Sequence, residues 1–198
     1  KAVILAGGPG TRLLPLTCNI PKPMVPVLNR PFLDYLLTNL KNHKIDDAIM
    51  TMCYLPDKIQ EYFGGGSVAW PRLTYVLENE PLGTAGAVKN AEDYLKDTFL
   101  VCNGDILTDL DLQGLISFHR SKNAKVTIAL TRVEDPSSFG VVEVDSLGKI
   151  ASFTEKPSKN EAKSSWVNAG TYILEPDVLE FLTNATSSMF ETELFPKL

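Results

Sequence analysis

The chain has 198 residues, 44% of them hydrophobic, and its 19 basic and 24 acidic residues give a net charge of −5. This length is enough for one domain with a sizeable core. The negative charge argues against a nucleic-acid-binding protein that works through a basic face. No apolar stretch is long enough to span a bilayer and no signal-peptide pattern is present. We therefore expect a cytoplasmic protein without membrane or nucleic-acid partners.

Apolar runs alternate with amphipathic segments along the first two thirds of the chain. The runs predict strands at Ala2–Leu5, Ala48–Met52, Leu73–Leu77, Phe99–Cys102 and Lys125–Thr131. Apolar residues at helical spacing predict helices between them, at Phe32–Lys41, Asp57–Phe63, Ala85–Leu95 and Leu112–Ser121. This alternation predicts a doubly wound α/β domain with a mostly parallel mixed sheet. In such a sheet, ligands bind beyond the carboxyl ends of the strands.

From Phe139 onward the pattern changes to shorter alternating segments. Val141–Asp145, Lys149–Thr154 and Trp166–Leu174 predict antiparallel or mixed strands, with a turn at Ser146–Gly148 between the first two. We interpret them as a smaller antiparallel extension of the same domain.

A glycine-rich segment, Gly7-Gly8-Pro9-Gly10-Thr11-Arg12, follows the first predicted strand. Glycines let backbone N–H groups surround an anion, and Arg12 adds a planar charged fork suited to phosphate. A dinucleotide fingerprint is not met, because Leu13 stands where its third glycine belongs. A P-loop is not met either, because no Lys-Ser or Lys-Thr follows. A phosphate site of another kind and a plain tight turn remain.

Lys22 stands between Pro21 and Pro23, a short distance after the glycine segment. The two prolines stiffen its backbone, so its ammonium can be held in place with little loss of entropy. This favours a second phosphate contact over a solvated surface lysine.

The segments Leu5-Ala-Gly-Gly, Gly10-Thr-Arg-Leu, Pro15-Leu-Thr and Pro21-Lys-Pro-Met together resemble the signature of the nucleotide-sugar pyrophosphorylases. These enzymes are also called sugar-1-phosphate nucleotidylyltransferases. The resemblance implies a Rossmann-like, glycosyltransferase-A-like fold for residues 1–198. It also implies a catalytic domain that is incomplete at its C-terminus, a left-handed β-helix that follows in some members, and a homo-oligomeric full-length protein.

Asp105 follows the predicted strand Phe99–Cys102 within Asn103-Gly104-Asp105. A carboxylate at a strand end suits Mg²⁺, although an isolated Asn-Gly-Asp is more often an Asx turn. The resemblance makes Asp105 a magnesium ligand and places Arg12, Lys22 and Asp105 in the catalytic set. The family's second metal-binding aspartate belongs to a later segment that has no counterpart in this chain.

The resemblance also assigns a nucleotide-binding set: Leu5, Ala6, Gly7, Gly8, Gly10, Thr11, Arg12, Glu78, Gly83 and Thr84. Thr84 has the additional interpretation of an N-cap for the next helix. Many relatives that use uridine or thymidine nucleotides carry Gln at the position of Glu78. A glutamine amide donates and accepts, whereas an ionised carboxylate only accepts. Because guanine offers two adjacent N–H donors, Glu78 favours GTP.

Three later segments match the family's sugar side, namely Phe139-Gly140-Val141-Val142, Glu155-Lys156-Pro157 and Trp166-Val-Asn168-Ala-Gly170. Each alone has an ordinary turn or surface explanation, but their order agrees with the family. The implied sugar-phosphate set is Lys22, Gly140, Glu155, Lys156 and Asn168.

The implied reaction joins a nucleoside triphosphate and a sugar-1-phosphate into a nucleoside-diphosphate sugar and pyrophosphate. Our first expectation is GTP with mannose-1-phosphate, giving GDP-mannose, and Mg²⁺ is the expected cofactor. A glucose-1-phosphate uridylyl- or thymidylyltransferase is the alternative within the class. A non-catalytic regulatory subunit that binds a nucleotide sugar is the alternative from another class, and a dehydrogenase is a remote third.

Overall fold

A computed structural model describes residues 1–183 and 187–197. The strands are β1 Ala2–Leu5, β2 Pro26–Val27, β3 Arg30–Pro31, β4 Asp47–Met52, β5 Arg72–Leu77, β6 Phe99–Asn103, β7 Val126–Arg132, β8 Gly140–Val144, β9 Ile150–Glu155 and β10 Trp166–Leu174. The α-helices are α1 Phe32–Asn42, α2 Pro56–Phe63, α3 Gly83–Asn90 and α4 Leu112–Lys122. Eight of these strands form one mixed sheet, and β2 and β3 form a separate small hairpin.

The first half of the large sheet is parallel, in the order β5-β4-β1-β6. Helices follow β4, β5 and β6, and the carboxyl ends of all four strands meet at one edge. That edge is where an open α/β sheet binds ligands.

The second half is antiparallel and continues from β6 through β10 to β8 and β9. Thr171 of β10 pairs with Cys102 of β6, so the Trp166–Gly170 part of β10 projects beyond the carboxyl end of β6. Val167 in this projecting part pairs with Val141 of β8, and β7 runs along the other side of β10. The expected antiparallel extension is therefore built onto the same edge as the glycine segment.

The core has one hydrophobic cluster on each face of the sheet. Ala2 and Ile4 belong to a cluster with α1 and α2, whereas Val3 belongs to a cluster with α3. All three are fully buried. Successive residues of a strand point to opposite faces, so a central parallel strand covered on both sides has to be apolar throughout.

The predicted fold class is confirmed, and the predicted elements lie within a few residues of those observed. One helix differs, because the segment expected to be helical to Leu95 leaves the α-helix at Asn90. The Ala91 N–H bonds to Val88, and the chain tightens into a 3-10 turn at Glu92–Tyr94. The hairpin of β2 and β3 and a π-helical turn at Phe190–Leu194 were not predicted.

Within the described residues, the structure contains no helix with the length and hydrophobicity needed to cross a membrane.

A buried carboxylate ties α1 to the loop before β5. Asp34 is 4% exposed and accepts from Arg30 through Nε (2.8 Å) and Nη2 (3.0 Å). The indole Nε1 of Trp70 also donates to Asp34, at 2.7 Å. These bonds, led by the Arg30 contact, lower the pKa of Asp34. A carboxylate with donors on both oxygens is stabilised in its charged form.

We predict that Asp34→Ala lowers the free energy of unfolding by about 2 kcal/mol or more, because it leaves Trp70 and Arg30 without their acceptor. The folded pKa lies below the unfolded one, so this stabilisation is complete at neutral pH and declines as the pH falls below about 4. Urea titrations at several pH values measure both effects. The control is Asp46→Ala, which removes the exposed partner of Lys41 and costs less than about 1 kcal/mol. Equal losses in the two variants would contradict the prediction.

Candidate functional site

A cavity of about 540 Å³ opens at the carboxyl ends of the parallel strands. All ten predicted nucleotide-binding residues line it, together with Lys22 and Asp105 from the predicted catalytic set. The remaining lining residues are Pro9, Leu13, Pro23, Thr51, Pro81, Ala87, Asn103 and Met189. The structure thus brings together residues from six separate stretches of the sequence.

The glycine segment passes close to Lys22 and leads into a 3-10 turn at Thr11–Leu13. Gly10 has φ 64°, and a Cβ there would lie 2.8 Å from the Cβ of Lys22. A side chain at this position would meet both backbone strain and a clash. The buried Thr17 hydroxyl donates to the Gly10 carbonyl at 3.0 Å, and this hydrogen bond fixes the glycine segment against the protein interior.

Two cations lie along this part of the cavity wall. Arg12 is exposed and has no hydrogen bond or ion pair with any residue that the structure describes. Lys22 is half-buried, and its Nζ donates to Oδ2 of Asp105 at 2.5 Å. The arrangement offers one free guanidinium and one paired ammonium to an incoming anion.

Asp105 and Asn103 supply the oxygen atoms at the end of β6. The Asn103 Oδ1 atom is buried and has no hydrogen-bond partner among residues 1–183 and 187–197. Over the same residues, no group of three or more His, Cys, Asp or Glu side chains is placed so that it could hold a metal ion. One carboxylate with a neighbouring amide oxygen fits Mg²⁺, which usually binds one or two carboxylates and takes further oxygens from substrate phosphates and water.

Glu78 closes the cavity at the end of β5. It is 9% exposed; its Oε2 accepts from the Leu82 amide at 3.1 Å. Its Oε1 is buried without a hydrogen-bond partner in the described part of the chain. Burial raises the pKa of this carboxyl, and the Leu82 amide and Thr51 hydroxyl only partly offset the effect. An unpaired buried acceptor is costly, so this oxygen is suited to a donor from a ligand.

The N-terminus of α3 is capped by a distant segment, and the expectation that Thr84 caps it is wrong. The N-cap position is Leu82, which makes no side-chain cap. The Ser188 carbonyl accepts from the amides of Ala85 (3.0 Å) and Gly86 (3.2 Å) instead. Because these amides already have an acceptor, the Thr84 hydroxyl is free to bond elsewhere.

Thr84 joins α3 to the π-helical turn that the sequence did not predict. Its hydroxyl accepts from the Phe190 amide at 3.0 Å and donates to Glu191 Oε2 at 3.2 Å. Met189, which directly precedes Phe190, lines the cavity. Sequence reasoning missed this segment, whose one available signal was the alternation of apolar and acidic residues in Phe190-Glu191-Thr192-Glu193-Leu194.

Three of the predicted sugar-phosphate residues, Gly140, Glu155 and Asn168, form a row across three strands outside the cavity wall, whereas Lys22 lines the cavity itself. Gly140 of β8 pairs with Glu155 of β9, and the register of Val141 with Val167 puts Asn168 of β10 beside Gly140. Residues opposite each other in a sheet share a face. Glu155 leans over the glycine, since a Cβ on Gly140 would lie 3.0 Å from Glu155 Oε2.

Lys156 and Asn168 are both engaged within the protein. The Lys156 Nζ pairs with Glu155 Oε1 at 2.9 Å, and its backbone has φ 45°, a conformation that side-chain-bearing residues rarely adopt. Strained backbone of this kind is often found at functional sites. Asn168 Oδ1 accepts from Gly170 and its Nδ2 donates to Tyr172, which fixes the bulge in β10.

Strand order sets the order of chemical groups along the edge of the sheet. Glu78 follows β5, the glycine segment follows β1, and Asp105 follows β6. β5 and β6 lie three interstrand spacings apart, or about 14 Å. Beyond β6 come Asn168, Gly140 and Glu155 on β10, β8 and β9. Along this edge, the Glu78 carboxylate is therefore followed by the cations Arg12 and Lys22. The oxygen atoms of Asn103 and Asp105 come next, and the row of Asn168, Gly140 and Glu155 comes last.

The chain is similar to several characterised proteins. A mannose-1-phosphate guanylyltransferase of Mycobacterium tuberculosis is 40% identical over 198 residues, which cover all of this chain and 55% of that protein. A UTP–glucose-1-phosphate uridylyltransferase of Synechocystis sp. is 39% identical over 212 residues, with the same two shares. The chain thus spans about half the length of these curated relatives.

A solved structure gives the same likeness in three dimensions. The crystal structure of HddC from Yersinia pseudotuberculosis complexed with GMP-PN has a TM-score of 0.82 and 33% identity, over 100% of this chain and 85% of that one. The family model described as nucleotidyl transferase matches residues 1–198. Since that match covers the whole chain, and the cavity lies where the family signature lies, the protein belongs to the nucleotidyl transferase family.

Proposed function

We propose that this chain is the catalytic domain of a sugar-1-phosphate nucleotidylyltransferase, with GTP and mannose-1-phosphate as its substrates. The observation that carries the proposal is the order of groups along the sheet edge. Glu78, the Arg12–Lys22 region, Asp105 and the Gly140–Glu155–Asn168 row follow one another as the base, phosphates, metal and sugar of the two substrates would.

The phosphates belong in the middle of the cavity, on the glycine segment. Among the described residues, Arg12 has no charged or hydrogen-bonding side-chain partner there, and the Lys22 ammonium pairs with Asp105 alone. The guanidinium would hold the triphosphate and stabilise charge that develops on the leaving pyrophosphate. Lys22 would orient the phosphates beside the reacting centre once its pairing with Asp105 is exchanged for a phosphate contact.

Mg²⁺ is the cofactor we propose, held by Asp105 with the nucleotide phosphates. The support is the donor set, a carboxylate beside the unpartnered Asn103 Oδ1. When bound there, the ion would neutralise negative charge on the phosphates. Lys22, Arg12 and Asp105 then account for a site that brings two anions together.

The reaction needs positioning more than proton transfer. The second pKa of a phosphate monoester is about 6, so a sugar-1-phosphate is mostly dianionic at neutral pH and can attack the α-phosphorus in line. Glu155 would accept hydrogen bonds from sugar hydroxyls, and Lys156 would leave its ion pair with Glu155 to hold the sugar phosphate. Positioning and charge neutralisation of this kind supply most of the catalysis in phosphoryl-type transfers.

Guanine is the base we propose because of Glu78. Its free Oε1 requires a donor, and the Watson–Crick edge of guanine carries two adjacent N–H donors. The guanylyltransferase relative at 40% identity and the HddC complex with GMP-PN support this choice. The uridylyltransferase relative at 39% identity makes UTP the competing base.

The test of the proposal is pyrophosphate release across four nucleoside triphosphates and several sugar-1-phosphates, with the full-length protein. We expect GTP with mannose-1-phosphate to give the highest kcat/KM. A higher kcat/KM with UTP or dTTP would overturn the base assignment. No turnover with any pair, together with binding of a nucleotide sugar, would favour the regulatory-subunit alternative.

We predict that Arg12→Ala lowers kcat at least tenfold, because one preorganised charge contact contributes about 2.7–4 kcal/mol to transition-state stabilisation. Steady-state kinetics at saturating substrates measures the effect. Arg120→Ala is the control, since Arg120 is an exposed arginine of α4 that does not line the cavity. An Arg12 variant with near-wild-type kcat would remove Arg12 from the catalytic set.

We predict that Asp105→Ala weakens Mn²⁺ binding about tenfold or more in the presence of a non-hydrolysable nucleotide, because a charged ligand is lost. Electron paramagnetic resonance of free Mn²⁺ measures this binding without catalysis. Asp109→Ala is the matched control, an exposed aspartate four residues further along the same segment. Unchanged Mn²⁺ affinity in the Asp105 variant would rule out its role as a ligand.

A further inference from the structure

We propose that the proton on Glu78 selects the base: ionised Glu78 takes guanine, and protonated Glu78 takes a uracil-type base. This inference rests on the proposed function, which places the base at the end of β5. It adds a property that the base assignment does not contain, because it makes the choice of nucleotide depend on pH.

The two oxygens of Glu78 have different surroundings. Oε2 accepts from the Leu82 amide at 3.1 Å, whereas Oε1 has no hydrogen-bond partner among the described residues. On the side of the glycine segment, a Cβ on Gly7 would lie 3.3 Å from Oε1. One oxygen is therefore fixed by the Leu82 amide, and the other has no hydrogen bond to the part of the chain that the structure describes.

The Leu82 amide and the Thr51 hydroxyl favour the charged form of Glu78, but burial outweighs both of them. The titratable neighbours of Glu78 are the Cys53 thiol after β4 and the Glu80 carboxylate in its own loop. Burial, followed by the charges of Glu78 and Glu80, raises the pKa of Cys53. The glycine segment faces Glu78 with Gly7, which has no charge. Arg12, Lys22 and Asp105 line the phosphate and metal part of the same cavity.

Burial is the largest effect on Glu78 and raises its pKa, so protonation occurs nearer to neutral pH than for an exposed glutamate. A proton on Oε1 would convert an unpaired buried acceptor into a donor.

The two protonation states match two different base edges. An ionised carboxylate is an acceptor only, with capacity for several donors, so it suits the two N–H groups of guanine. A protonated carboxyl has one donor and one acceptor, as a glutamine amide has. That combination suits the N–H and C=O groups of a uracil-type base.

Proton linkage follows with a definite sign. Guanine donors stabilise the carboxylate, so GTP lowers the pKa of Glu78 and releases a proton on binding. A uracil-type base stabilises the protonated form, so UTP raises the pKa and takes up a proton. The preference for GTP over UTP is therefore greatest at high pH and declines as the pH falls.

The experiment is the ratio of kcat/KM for GTP to that for UTP, measured from about pH 5.5 to about pH 8.5 with the full-length protein. The phosphates of the two nucleotides titrate alike, so the ratio cancels them. We expect the ratio to fall about tenfold or more across this range in the wild type. Glu78→Gln should favour UTP with a ratio independent of pH, and Glu80→Gln should follow the wild type.

A binding measurement keeps the test independent of turnover and of the variant's folding. Calorimetry of wild-type protein with non-hydrolysable GTP and UTP analogues, in two buffers of different ionisation enthalpy, counts the protons exchanged. We expect release with the GTP analogue and uptake with the UTP analogue. A preference for GTP with a constant ratio and no proton exchange would overturn this inference alone. A preference for UTP throughout the pH range would instead overturn the proposed base.

Discussion

The parallel register of β5, β4, β1 and β6 is the constraint on which the site depends. β1 pairs on both sides and is buried on both faces, so its carboxyl end is fixed at the centre of the edge. The glycine segment leaves the sheet at that end. Glu78 and Asp105 come from strands on either side of it, so their carboxylates lie on opposite sides of the glycine segment at spacings that the sheet sets. Backbone pairing thus determines the spacing of the chemistry.

Much of this arrangement could be predicted from the sequence. Apolar runs of four to six residues identified the buried strands, and Gly7 to Arg12 identified the loop, because both signals are local. The Asp105 carboxylate could be placed at a strand end for the same reason. The order of strands could not, since it depends on crossovers between residues far apart. The local sequence was therefore enough to identify Arg12 and Lys22 as candidate phosphate-binding residues. It was not enough to predict where they lie relative to each other.

The C-terminal segment shows where sequence reasoning fails. Thr84 has the residue type and position of a helix cap, and a local interpretation assigns it that role. The structure gives the role to the Ser188 carbonyl, about a hundred residues away, and turns Thr84 toward Phe190 and Glu191. A backbone carbonyl has no signature in the sequence. Glu191, which also contributes to the electrostatics of Tyr172 in the core, could be recognised only after the chain had folded.

The absence of a side chain at Gly10 has a consequence for how the site can change. With φ 64° and the Lys22 Cβ in the space that its own Cβ would fill, Gly10 and Lys22 share one volume. The conformation of the turn and the position of Lys22 are therefore coupled, and a substitution at one of these residues displaces the other. A substitution at Gly10 acts as a displacement of the ammonium, so a defect there would be measured as a defect of Lys22.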